Sequence, residues 1–151
     1  MRVCEERFTY HTDKETRIKT YNSGRYPTYS FAIRREKIVA AGITYSLLFG
    51  GGAKYSAGED SLFLLNCVKK GLKIYAVPIE IGEEKSRPST WFNGYTEKFF
   101  YDRGVLYHHL YGKLAGVFAA RFILKKKSFM CKDVKASRAY ELIKKGIKDA
   151  R

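Results

Sequence analysis

The sequence predicts an α/β chain of α+β-like character: a short mixed sheet, flanking helices and a basic helical C-terminal tail. Three observations carry that prediction. Short β-prone runs near the start are bounded by polar residues or proline, two stretches of helical spacing each close on a glycine, and the last third is rich in lysine. A hydrophobic content of 45% with 15% aromatics lies well above the range of disordered chains. The 151 residues suffice for one compact domain with its own core and are short for two.

The elements follow in order. Arg7–Thr12 and Thr16–Tyr21 flank the polar Asp13-Lys14-Glu15 and read as a hairpin. Beyond Pro27, Thr28–Ile33 reads as a further strand. Arg34–Ala41 has helical spacing and ends at Gly42, a glycine C-cap. Gly50-Gly51-Gly52 marks a loop that adopts positive φ or lets something approach the backbone closely. Ser61–Lys70 is apolar nearly all round, which predicts a buried helix ending at Gly71, and Leu72–Val77 is a strand stopped by Pro78. Ser89-Thr90 occupies an N-cap position before Trp91-Phe92, with helical spacing to about Tyr101. Arg103-Gly104 is expected to break that helix. A longer basic amphipathic helix then runs to about Leu124, and Lys125-Lys126-Lys127 leads into a last polar helix around Val134–Lys145. The implied division is a main domain over 1–124 and a basic helical tail over 125–151.

A net charge of +14 calls for an anionic partner: nucleic acid, lipid headgroups and sugar-nucleotide phosphates all qualify. The excess is uneven, with 16 Lys/Arg against 11 Asp/Glu in residues 1–100 and 13 against 4 in residues 101–151. Cys4, Cys67 and Cys131 are widely spaced and form no C-x-x-C pair, so they read as reduced thiols of a cytoplasmic chain. Arg2, Glu5, Glu6 and Arg7 are unlike a signal peptide. Val105–Leu124 is interrupted by His108, His109, Lys113 and Arg121 and does not read as a transmembrane helix. Its Leu106, Leu110, Leu114, Val117, Phe118 and Phe122 fall broadly along one side. That side can lie on an anionic membrane or pack against the domain, and the sequence leaves both open. His108 and His109 point about 100° apart on a helix, which suits surface or core roles better than a shared metal.

The most informative segment runs from Gly50 to Asp60. A glycine loop containing Lys54 and Tyr55 delivers Glu59 and Asp60 to the start of a buried helix, where the macrodipole favours an ionised carboxylate able to accept a proton. Acidic residues also commonly cap helices, so a purely structural role competes. Arg87, Ser89 and Thr90 are candidates for phosphate or sugar contact, since the arginine fork binds phosphate bidentately. A solvated Arg and an ordinary N-cap are the alternatives. Trp91 and Tyr95 are able to stack on a sugar, although residues one turn apart more often belong to a core.

Taken in order, Ser30-Phe31-Ala32-Ile33-Arg34-Arg35, Phe49-Gly50-x-Gly52-Ala53, Gly58-Glu59-Asp60-x-x-Phe63, Gly71-Leu72-Lys73-Ile74, Ser89-Thr90 and Arg103-Gly104 resemble the second half of bacterial family 2 glycosyltransferases. The resemblance spans roughly residues 28–112. It implies a partial GT-A fold, a nucleotide-sugar donor and a glycan or lipid-linked acceptor, as in polysaccharide biosynthesis. By the same resemblance Asp60 is the general base, Glu59 orients the acceptor, and Gly50, Gly51, Gly52, Lys54 and Tyr55 form part of the acceptor wall. Arg87, Ser89, Thr90 and Trp91 are the candidates for further substrate contact.

The sequence departs from the family in lacking the Asp-x-Asp motif that holds Mg²⁺ or Mn²⁺ on the donor diphosphate. Asp13-Lys14-Glu15 is nearest and reads as a hairpin tip, so no metal ligand is assigned here. The chain therefore reads as a fragment or truncated gene product that depends on a missing N-terminal half, with exposed edges that invite pairing with that half or with a second copy. The Gln-x-x-Arg-Trp motif of processive relatives is also absent, which favours a single-transfer enzyme. The resemblance is compatible with a cytoplasmic protein held peripherally at the inner face of the membrane. Two other classes remain: a basic nucleic-acid-binding module, against which the lack of an RNA-binding aromatic signature counts, and a non-catalytic scaffold derived from the fold.

Overall fold

A computed structural model describes residues 12–82 and 92–151. It is helix-rich, with one small antiparallel sheet, which agrees with the α+β class at the coarse level. Contacts divide the chain into two compact units rather than one: residues 12–46 with 59–82, and residues 47–58 with 92–151. Each has its own core.

The first unit contains β1 (Thr16–Arg17), α1 (Arg35–Ala40), α2 (Glu59–Lys69) and β2 (Tyr75–Ala76). β1 and β2 pair antiparallel, Thr16 opposite Ala76 and Arg17 opposite Tyr75. The ladder extends by one bond, from Ile18 N to the Ile74 carbonyl at 2.9 Å. The expected strands Thr16–Tyr21 and Leu72–Val77 are thus shorter than their β-prone runs. The first strand of the expected hairpin, Arg7–Thr12, lies almost wholly outside the described residues. Thr28–Ile33 is a correction: Thr28–Ser30 forms a 3₁₀ turn directly after Pro27, and Phe31 beyond it is extended.

Both helices of this unit end as their glycines predict. In α1, Gly42 (φ 61°) donates to the Val39 carbonyl and Ile43 to that of Ile38. In α2, Gly71 (φ 83°) donates to Val68 and Leu72 to Cys67. The reach back over five residues is a Schellman closure, and its left-handed residue favours glycine. The buried face of α2 supplies Phe63, Leu64 and Cys67 to a core with Ile18, Tyr26, Ile43 and Ala76.

The second unit is built on α3 (Glu97–Tyr111), α4 (Ala115–Met130) and α5 (Ala136–Asp149). Thr96 caps α3 by accepting from Phe99 N at 3.3 Å. Gly104 does not break the helix. It lies in the middle of α3 and is buried, because α3 and α5 cross backbone to backbone there. A Cβ on Gly104 would strike the Ile143 carbonyl, and one on Gly146 would strike the Tyr101 carbonyl. The break instead falls at Gly112 (φ 51°), followed by a 3₁₀ turn over Gly112–Leu114. The single helix expected over 105–124 is therefore two helices. The boundary expected at residue 124 falls inside α4, and α5 buries Ala139, Leu142, Ile143, Gly146 and Ile147 at three- and four-residue spacing. α5 is thus an integral helix of the second unit. No helix among the described residues is long and apolar enough to cross a membrane.

Candidate functional site

Asp60 lies in the first turn of α2, half-buried, and the chain reaches it from 32 residues upstream. The Thr28 backbone N–H donates to Asp60 Oδ2 at 3.0 Å, and the Thr28 hydroxyl donates to Oδ1. Pro27, extended at φ −79° and ψ 160°, sets the entry to the turn that Thr28 opens. Tyr45 stacks on Phe63 at 4.3 Å between centroids and 7° between planes, and Phe31 lies on the same Phe63 ring at 6.1 Å and 6°. Burial, and after it the neighbouring Asp60 carboxylate, raise the Tyr45 hydroxyl above the usual tyrosine range, while its hydrogen bond with Thr28 opposes them. Asp60, Thr28 and Tyr45 therefore form one polar group at the head of α2, backed by the Phe63 and Phe31 rings. Glu59 is half-buried in the same first turn.

The glycine segment belongs to the second unit. Gly50 (φ 122°) and Gly52 (φ 81°) take the left-handed region that only glycine enters at ease, and no non-glycine residue among those described has positive φ. Gly50 N donates to the Tyr55 carbonyl at 2.9 Å, and Tyr55 N to that of Leu48 at 3.0 Å, which closes the loop. Phe49 and Tyr55 pack ring on ring at 5.0 Å, with the His109 ring edge-on to Phe49 at 5.7 Å. Lys54 is exposed and lies over Tyr55 at 5.3 Å.

Asp102, which the sequence reading did not single out, anchors this loop to α3. Its side chain is 5% exposed, and its Oδ2 accepts from Ser56 N at 2.9 Å, Ser56 Oγ at 2.8 Å and Lys98 Nζ at 2.6 Å. Lys98 also donates to the Lys54 carbonyl at 3.0 Å. The available signal was an acid four residues after a lysine on one helix, a pairing that also occurs on solvated faces.

Arg87, Ser89, Thr90 and Trp91 lie outside the described residues. Tyr95, a candidate sugar platform, is half-buried and meets Phe92, Phe99 and Phe129 edge-on at 5.0–5.7 Å, in an aromatic cluster whose Phe92 and Phe129 are exposed. His108 and His109 lie with ring centroids 5.5 Å apart. Among the described residues no three His, Cys, Asp or Glu side chains come together in a way suited to a metal. Asp13-Lys14-Glu15 forms an exposed bend, with the Thr12 and Thr16 hydroxyls donating to the Lys14 carbonyl.

Fold and site together define a helix-rich α+β chain with a tethered acid at a helix head and a glycine loop pinned by a buried acid. No protein family, curated protein or solved structure matches the chain.

Proposed function

We propose that the chain is the acceptor-side part of a family 2-like glycosyltransferase of the GT-A type. In this reading it transfers a sugar from a nucleotide-sugar donor to a glycan or lipid-linked acceptor, with Asp60 as general base. The ordered motif set from Ser30 to Gly104, with Asp60 half-buried in the first turn of α2, carries the reading. Each carboxylate oxygen offers two lone-pair sites, so the two bonds from Thr28 leave capacity to accept a proton. Asp60 takes the acceptor hydroxyl proton as that oxygen bonds the anomeric carbon and the nucleoside diphosphate departs. Such help contributes ~10²–10⁴ in rate. Glu59 orients the acceptor. Donor binding, with its Mg²⁺ or Mn²⁺, falls to a partner half, because this chain carries no Asp-x-Asp.

A specific observation favours a second reading, the non-catalytic scaffold: Thr28 already engages both oxygens of Asp60. The two separate by experiment. The chain is incubated with UDP-, GDP- and dTDP-sugars, alone and with a nucleotide-binding half of a family 2 enzyme, and products are read by mass spectrometry. Transfer that requires the second half and drops at least ~10²-fold in Asp60→Asn supports the enzyme. No transfer under either condition favours the scaffold, and equal transfer by Asp60→Asn removes Asp60 as the base.

A further inference from the structure

The outer face of α4 and of the 3₁₀ turn before it joins exposed aliphatic side chains to exposed basic ones. Leu114, Val117 and Leu124 are 59%, 65% and 70% exposed. Single exposed leucines are ordinary on a protein surface. Here Val117, Arg121 and Leu124 follow one another at four- and three-residue steps, so the helix repeat places them on one stripe. Lys113, Arg121 and Lys125 are exposed beside them. From Arg103 to Lys132 the chain has seven basic residues and no acidic one. This segment therefore brings no acidic side chain of its own to balance the charge.

We infer that this face rests on an anionic lipid surface. Leu114, Val117 and Leu124 enter the acyl boundary, and Lys113, Arg121 and Lys125 extend along it to the phosphate level. The chemistry favours lipid over nucleic acid. A single-stranded nucleic acid needs aromatic platforms, whereas each ring of α4 packs on another aromatic: Phe118 stacks on Tyr111 at 3.7 Å, Phe122 meets Tyr107 at 5.9 Å, and Phe129, 37% exposed, meets Tyr95 at 5.7 Å. A bare polyanion also has no use for three exposed aliphatics. The inference is independent of sugar transfer.

The full chain is co-sedimented with phosphatidylcholine vesicles and with vesicles containing roughly one-third phosphatidylglycerol. Expected is binding at least about tenfold tighter to the anionic vesicles, weakened by raised salt. The variants L114Q/V117Q/L124Q and K113Q/R121Q/K125Q should each lower it about tenfold or more. Every replaced side chain is exposed, and far-UV circular dichroism checks that the helices remain. Three results would overturn the inference: no sedimentation with either vesicle, equal affinity for the neutral ones, or full retention of binding by the apolar triple variant. The last, together with salt-sensitive RNA binding, would reassign the face to a polyanion.

Discussion

Thr28 is held by both carboxylate oxygens of Asp60, its backbone N–H on Oδ2 and its hydroxyl on Oδ1. The turn after Pro27 and the head of α2 are thereby joined across 32 residues of sequence. Asparagine at position 60 keeps an acceptor for the N–H and turns its amide toward the hydroxyl, which then accepts instead of donating. Asp60→Asn is therefore expected to cost only about 1 kcal/mol, whereas Asp60→Ala leaves the N–H without this partner and costs roughly 1–3 kcal/mol. Urea denaturation of both variants checks the order. Equal losses would mean that the bonds to Thr28 contribute little, and the mild variant is the proper probe of catalysis.

A second acid has a different duty. Asp102 gathers three donors on Oδ2 from a side chain 5% exposed. Asp102→Asn removes the charge-assisted part and sets its amide against Lys98 or Ser56, with an expected loss of about 2–3 kcal/mol. Because the Ser56 N–H is one of the donors, its hydrogen exchange should accelerate more than that of amides in the middle of α3. Uniform acceleration would show that Asp102 supports the whole unit rather than the glycine loop.

Gly104 and Gly146 set the approach of α3 and α5. Added Cβ atoms would meet backbone, the Ile143 carbonyl in one case and the Tyr101 carbonyl in the other, and backbone cannot rotate away as a side chain can. Gly104→Ala and Gly146→Ala are each expected to destabilise by about 3 kcal/mol despite the better helix propensity of alanine. At roughly 2–4 °C per kcal/mol, each should lower Tm by about 6–12 °C. The double variant should cost less than the sum, since both report one crossing. Thermal melts of the three proteins decide, and a rise in Tm for either single variant would remove the close crossing.

What the sequence made legible, and what it hid, follows from the range of the interactions. Gly42 and Gly71 were readable as helix ends because the closure involves only neighbouring residues. Asp60 was readable as the head of a buried helix for the same reason. Gly104 was misread because a glycine required by a crossing with Ile143 has the same local appearance as one that ends a helix. Gly112, where the chain does turn, carries no stronger local signal. Thr28–Ile33 has β-prone composition, yet Asp60 captures Thr28 at the start of a 3₁₀ turn, a long-range bond overriding a local preference. Asp102 escaped notice because its partner Ser56 lies 46 residues away.

Tyr107 gives the second unit an alkaline limit. Burial is the main cause, and it pushes the phenol from 10.0 up to about 12, with Tyr111 adding to it and Arg103 opposing it. Below pH 10 the phenol is neutral in folded and unfolded chains alike and contributes no pH dependence. Between pH 10 and about 12 the unfolded chain releases the proton while the folded chain retains it, so stability falls as pH rises. The full effect is about 2–3 kcal/mol, reached as pH approaches the folded value. Tyr107→Phe has no proton to release and should lose less stability than the parent over the same interval, although other groups titrate in both. Urea midpoints at pH 9 and near pH 11.5 for the two proteins measure the difference. An identical fall in both would place the tyrosine hydroxyl in contact with water and dismiss its burial as the cause.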